Sequence, residues 1–149
     1  MSGKEVIVKS GRGMAKGYSP DLLRSGGLGP CIAVGIYDYF SKSGYMMHEV
    51  DYSCIDFGSK IEMLKRDYGS LNNLKVFAAG NSIFSLDKLE QKDLELSSRY
   101  FVEEMLVKYF PVGNIEFNWL DDDVVGELFL DTKTGIFSLD VVSLDDLIF

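Results

Sequence analysis

Cations, histidine, cysteine and long apolar runs are all scarce in this sequence of 149 residues. Lysine and arginine number 15 against 23 aspartates and glutamates, a formal net charge of −8. A chain so short of positive charge lacks the broad electrostatic grip on phosphate that nucleic-acid binding needs, so nucleic acid is not expected as a partner. The single histidine, His48, excludes a multi-histidine metal centre, and one His with two separated Cys is a weak zinc set; neither metal nor cofactor is expected. Two cysteines, Cys31 and Cys54, are too few for a disulfide framework, so the expected setting is the reducing cytoplasm. No apolar run approaches the roughly twenty residues of a membrane span, and residues 1–17 lack the apolar stretch of a secretion signal. No membrane insertion is expected.

What is present is a core-forming composition, 46% hydrophobic and 26% charged, which fits one domain over residues 1–149. The charge is graded along it. Residues 1–24 hold five cations against two anions, whereas residues 110–149 hold Lys133 alone against nine carboxylates. Such an acidic stretch serves as a solvated face or as a docking surface for another protein.

Along the chain, the β-branched run 6–8 reads as a strand. Residues 10–29, with six glycines and Pro20, read as an extended loop ending in Gly26-Gly27-Leu28-Gly29-Pro30. Residues 32–37 are apolar or small, which suits a strand buried on both faces or a short buried helix. Residues 38–44 read as a turn and 45–50 as a strand, a hairpin that brings Cys31 and His48 towards one end. A helix is expected over 55–67 with Gly69 as its stop, then a buried strand over 74–79. A second helix over 93–110 carries Val102, Leu106 and Tyr109 on one stripe, widened by Phe101 and Met105, and ends at Pro111 and Gly113. Strands follow over 114–120, 124–130 and 136–142. Phe101, Tyr109, Phe117, Trp119 and Phe129 are expected in the core. The fold class is α/β (α+β), with antiparallel pairs rather than a doubly wound parallel sheet.

The chemistry concentrates on Cys31 and His48. An imidazole that takes a thiol proton leaves a thiolate, the species that attacks carbonyl carbon. Cys31 follows a glycine-rich loop whose backbone N–H groups can face an oxyanion, whereas Cys54, between Ser53 and Ile55, reads as a passive thiol. The plain alternative for Cys31 is a structural cysteine in a buried strand.

The segment Ser25-Gly26-Gly27-Leu28-Gly29-Pro30-Cys31-Ile32-Ala33-Val34, with Asp38 and then Gly44-Tyr45-Met46-Met47-His48, resembles the CheD family of chemoreceptor glutamine deamidases. In that family a Thr-x-Gly-Leu-Gly-Ser-Cys motif enters an apolar strand and a Gly-x-x-x-His motif follows, with the Cys-to-His spacing seen here. The run Lys75-Val76-Phe77-Ala78-Ala79-Gly80-Asn81, then Arg99 and Thr134-Gly135, extends the likeness over most of the chain. The resemblance implies a sandwich-like, mixed and largely antiparallel sheet core with two or more flanking helices. It also implies a Cys-His-Thr site, with Cys31 as nucleophile, His48 as base and later acid, Ser25 in the place of the threonine, and Leu28, Gly29 and Cys31 as the oxyanion or positioning loop. The implied reaction converts a glutamine side chain on a substrate protein to glutamate through a thioester, with a methyl-esterase side activity and a regulatory partner resembling the phosphatase CheC.

Departures from the family bear on activity and on partner. Pro30 replaces a serine and removes an N–H. Asp122, Asp123 and Glu127 stand where the family carries glycines and an arginine, so they are candidates for a substrate or partner surface suited to a more basic protein. Two other readings stay open: a catalytically weakened binding module, and a thiol protease sharing the same nucleophile and base. The end of the chain, 144–149, reads as a frayed tail, a strand extension or an acidic-hydrophobic docking peptide.

Overall fold

A computed structural model describes residues 3–52 and 55–147. Its strands are β1 (Glu5–Ile7), β2 (Ala15–Tyr18), β3 (Leu22–Leu28), β4 (Ile32–Asp38), β5 (Ser43–Glu49), β6 (Leu74–Gly80), β7 (Ile115–Trp119), β8 (Val124–Asp131) and β9 (Ile136–Ser143). The helices are α1 (Phe57–Tyr68), α2 (Leu89–Tyr109) and the short α3 (Leu144–Leu147). One sheet runs β1-β3-β8-β9 and the other β2-β5-β4-β6-β7. Only β1 with β3 and β6 with β7 pair in parallel. The fold is therefore an α+β sandwich of two mixed sheets with helices beside it.

Strand β4 is the centre of the five-stranded sheet, antiparallel to β5 on one side and to β6 on the other. All seven of its residues are buried, so both of its faces must find apolar partners. Strand alternation divides the work. Ile32, Val34 and Ile36 join Phe57, Ile61 and Leu64 of α1 and Val102 and Leu106 of α2 in one core. Ala33 and Tyr37 join Leu23 and Leu28 of β3 and Leu128 and Leu130 of β8 in the other, between the sheets. Phe57, Ile61 and Leu64 recur at i, i+4 and i+7, and burying each contributes roughly 1.5–3 kcal/mol. Asp56 caps α1 by accepting from the Ser59 N–H at 3.1 Å, and Gly69 ends it, donating to Lys65 O.

Three sequence expectations change. Residues 10–29 are not one loop, because β2 pairs with β5 and β3 is held between β1 and β8; glycine content concealed strands whose partners are distant in sequence. Phe129 lies on the outer face of β8 beneath the Arg24 guanidinium, 5.4 Å from the ring centroid, and not in the core. Residues 144–147 form a helical turn rather than a strand extension. No helix among the described residues is long and apolar enough to cross a membrane.

Candidate functional site

The site lies where β3, β4 and β5 come together at one end of the sandwich. Strand β3 carries a bulge there: Ser25 pairs with Leu128, yet Leu28 pairs with Gly126, so one extra residue is inserted. Gly27 absorbs it at φ +70°, a conformation glycine adopts freely. The extra residue resets the alternation, so Ser25 and Leu28 both turn inward and are fully buried. The chain then turns through Gly29 and Pro30 into Cys31.

Ser25 fixes the tautomer of His48. Its hydroxyl donates to Val8 O at 2.7 Å and lies 2.8 Å from His48 Nδ1. A hydroxyl has one proton, and Val8 O can only accept, so Nδ1 must carry a hydrogen and donate to Ser25 Oγ. Nε2 is left as the bare nitrogen. It is buried and has no hydrogen-bond partner. Burial also lowers the pKa of the imidazole, which keeps it neutral. The arrangement is a proton acceptor held ready at Nε2.

Cys31 lies one residue before β4, close in register to His48. The Cys31 carbonyl accepts from Asn81 N–H at 2.9 Å, extending the β4–β6 ladder by one residue beyond Ile32 and Gly80. Cys31 is two positions before Ala33, and Ala33 stands opposite His48. Diagonal neighbours of this kind lie roughly 7–8 Å apart along the backbone. No hydrogen bond joins the Cys31 thiol to Nε2. Burial raises the pKa of the half-buried thiol, and the charges of Glu95 and Glu49 raise it further. Thiol and imidazole therefore rest as a neutral pair rather than as thiolate and imidazolium.

Around them, the Gly29 N–H is taken by Gly27 O at 3.0 Å, and Leu28 is packed into the core between the sheets. Gly80, at φ +117°, faces the Cys31 carbonyl so closely that a Cβ would collide with it. Asn81 ties the site to α2: its Nδ2 donates to Glu95 O at 2.7 Å, and its Oδ1 and main-chain O accept from Arg99 at 2.5 and 3.1 Å.

The three acidic positions are set apart from this trio. Glu127 lies on the outer face of the four-stranded sheet, where one of its oxygens accepts from Arg24 Nε and Nη2 at 3.0 and 2.8 Å. Asp123 accepts from Ser85 N–H and Oγ at 2.8 and 3.1 Å and so braces the segment between β6 and α2. Asp122 is exposed. Cys54, expected as a passive thiol, lies outside the described residues. Among the described residues, no three His, Cys, Asp or Glu side chains converge as metal ligands.

Sequence reading missed Glu95 and the Val8 carbonyl. Glu95 was legible in principle, because it falls in phase with Ser98, Val102 and Leu106, the buried stripe of α2. Val8 was not, since a main-chain acceptor leaves no mark in the side-chain pattern.

No family model matches the chain, and no curated protein matches it. Among solved structures it is similar to a hypothetical protein, YfiH, from Bacillus licheniformis, at 17% identity with a TM-score of 0.44. The match covers 64% of this chain and 46% of that one, so the chain spans less than half of that protein's length. A likeness this distant carries no argument about chemistry.

Proposed function

We propose that this protein is a cysteine-dependent amidohydrolase of the protein-glutamine deamidase type, with Cys31 as nucleophile, His48 as general base and then acid, and Ser25 as the residue that positions the imidazole. The observation that carries the reading is the Ser25–His48 bond, which leaves a buried, unpartnered Nε2 on the residue opposite Ala33, two positions along the chain from Cys31. The likeness to the CheD family in the glycine-rich approach to Cys31 and in the spacing to His48 supports it.

In this mechanism the Cys31 thiol gives its proton to His48 Nε2 as sulfur attacks the carbonyl carbon of a side-chain amide. His48 returns that proton to the departing nitrogen, ammonia leaves, and a thioester remains. Water, deprotonated by His48, then hydrolyses the thioester to a carboxylate and restores the thiol. Because the resting pair is neutral, proton transfer accompanies attack instead of preceding it. The substrate is a protein with an accessible glutamine, chemoreceptor-like or more basic, in the cytoplasm. The test is ammonia release, together with the mass gain of amide-to-acid conversion, on glutamine-containing proteins. Both signals should vanish in Cys31→Ala and in His48→Ala; signals that survive either change would overturn the assignment.

One observation favours a second reading, a weakened relative that acts as a binding module with a CheC-like or other protein partner. Nε2 does not hold the thiol, and Pro30 supplies no N–H beside it. Stable complex formation with no turnover of any glutamine substrate would select this reading.

A further inference from the structure

Among the described residues each sheet has two edge strands, and the four edges are not alike. Three are short and charged: β1 has three residues with Glu5, β2 four with Lys16, and β7 five with Glu116. Short, charged edges resist further pairing. The fourth, β9, is eight residues long, and Asp140 is its only charge. It holds no proline, and its ladder with β8 runs from end to end without a register shift. Its free side is therefore an unbroken row of main-chain N–H and C=O groups.

The side chains of β9 also lack cover. Ile136, Val141 and Val142 are 60, 49 and 43% exposed. Val141 stands opposite buried Gly126 and in phase with Phe137 and Leu139, on the side of the sheet that faces the core, yet half of it is uncovered. As far as Leu147, the chain turns away from this edge. Leu144 N–H donates to Asp123 O at 2.8 Å, and Leu147 lines a groove with Gly26, Gly27 and Val125 on the outer face.

The strand is complementary to itself. A half-turn about an axis through Leu139, perpendicular to the sheet, lays a second copy's β9 antiparallel to the first and keeps each face on its own side. On the inner face Leu139 then meets its counterpart and Phe137 meets Val141. On the outer face Ile136 meets Val142, and Asp140 meets Ser138. Every exposed apolar residue of the strand gains an apolar partner, and no like charges face each other. Gly135 comes opposite Ser143, so the hairpin turn with Lys133, the single cation of residues 110–149, lies beside the strand end from which the second copy's Asp145 and Asp146 leave. Charge complementarity thus agrees with the apolar pairing. An axis through Asp140 would instead set that carboxylate against its own copy.

We propose that β9 is a homodimer interface, in which two copies of this chain pair antiparallel about Leu139 and join their four-stranded sheets into one. The pairing is independent of the chemistry at Cys31.

The test is sedimentation of the full chain over a concentration series, with disulfide trapping to read the register. The parent should pass from monomer to dimer with a Kd in the micromolar range, as small interfaces do. Val142→Lys, which sets a cation against Ile136, should weaken the dimer at least about tenfold and leave the denaturation midpoint of the dilute monomer unchanged. Residues 136 and 142 lie roughly 20 Å apart on one strand, too far for a disulfide within a chain. The double variant Ile136→Cys/Val142→Cys should therefore oxidise to a covalent dimer, with position 136 joined to position 142 in peptide maps. Ser138→Cys/Val142→Cys, whose thiols meet only if the axis passes through Asp140, should not cross-link. A parent that stays monomeric up to about 1 mM, a dimer that Val142→Lys leaves intact, or trapping through 138 and 142 instead of 136 and 142 overturns the proposal.

Discussion

The five-stranded sheet carries a polar cluster at each end, partly exposed at one and buried at the other, and the two are built on opposite plans. At the β4–β5 turn, Asp38 accepts from Ser41 N–H and Oγ at 3.0 and 2.6 Å, Ser41 Oγ meets Ser43 Oγ at 2.7 Å, and Ser43 Oγ meets the Tyr68 hydroxyl at 3.0 Å. Beside them Asp67 accepts from Lys16 at 2.9 Å and from the Tyr45 hydroxyl, while the Lys16 ammonium lies over the Tyr18, Tyr45 and Tyr68 rings. At the Cys31 end, His48 Nε2 and the two Glu95 carboxylate oxygens are buried and make no well-aligned hydrogen bond, with Asp87 and Gln91 the side chains nearest to serving Glu95. A fully satisfied cluster holds the fold in one arrangement. A cluster left open at some cost keeps its hydrogen-bonding capacity for something that arrives later. The first plan suits a stabilising end, and the second suits the chemistry proposed for Cys31 and His48.

The sharpest break between the ends should come from Cys31→Ala. Removing the proposed nucleophile should take the proposed amide turnover to background, a loss of roughly 10³ or more, with little change in the denaturation midpoint. Ser25→Ala comes next. Without the hydroxyl, nothing holds the proton on Nδ1, and kcat should fall roughly ten- to a hundredfold across the whole pH profile. Ser25→Thr, which restores the hydroxyl, should recover most of it. A purely structural role would move the denaturation midpoint of Ser25→Ala and spare kcat measured on the folded fraction.

How much of this the sequence disclosed depends on what each element leans on. Strand β4 announced itself through uninterrupted apolarity and α2 through its stripe, because both patterns are local. The helix nevertheless begins at Leu89, four residues before its expected start, since Leu89 is exposed and leaves no periodic mark. Strands β2 and β3 were hidden, because their glycines read as a loop until β5 and β8 are set beside them. At the site, the glycine-rich approach and the strand pairing pointed to Cys31 and His48, and the likeness to the CheD family alone pointed to Ser25. It could not show that Val8 O dictates the imidazole tautomer, or that Glu95 turns its carboxylate inward, because both depend on contacts between distant segments.

The open end should also register in pH-dependent stability. Burial first, and the Asp87 carboxyl second, push Glu95 from an ordinary 4.5 up to about 7 in the folded protein. The folded state then binds more protons than the unfolded state between those values, so stability falls as pH rises through that window. The loss should be on the order of 2 kcal/mol between pH 5 and pH 8, read by chemical denaturation at both. Glu95→Gln should flatten this dependence. An unchanged slope would mean that the carboxylate finds a donor after all, and the contrast between the two ends would weaken.

The smallest expected effect belongs to the closed end. Tyr45 is pushed up to about 12, first by burial and then by its bond to Asp67, so its hydroxyl remains a donor at any working pH. Tyr45→Phe removes that donor but keeps the ring in the core, and Asp67 still has Lys16. The cost should be about 1 kcal/mol of unfolding free energy, because a half-exposed carboxylate that loses one of two partners can be resolvated. Amide turnover should not change. A stability loss without an activity loss at Tyr45, set against an activity loss without a stability loss at Cys31, is the pattern that two separately built ends require. A fall in kcat for Tyr45→Phe would instead mean that the sheet transmits strain from one end to the other, and the satisfied cluster would then belong to the site.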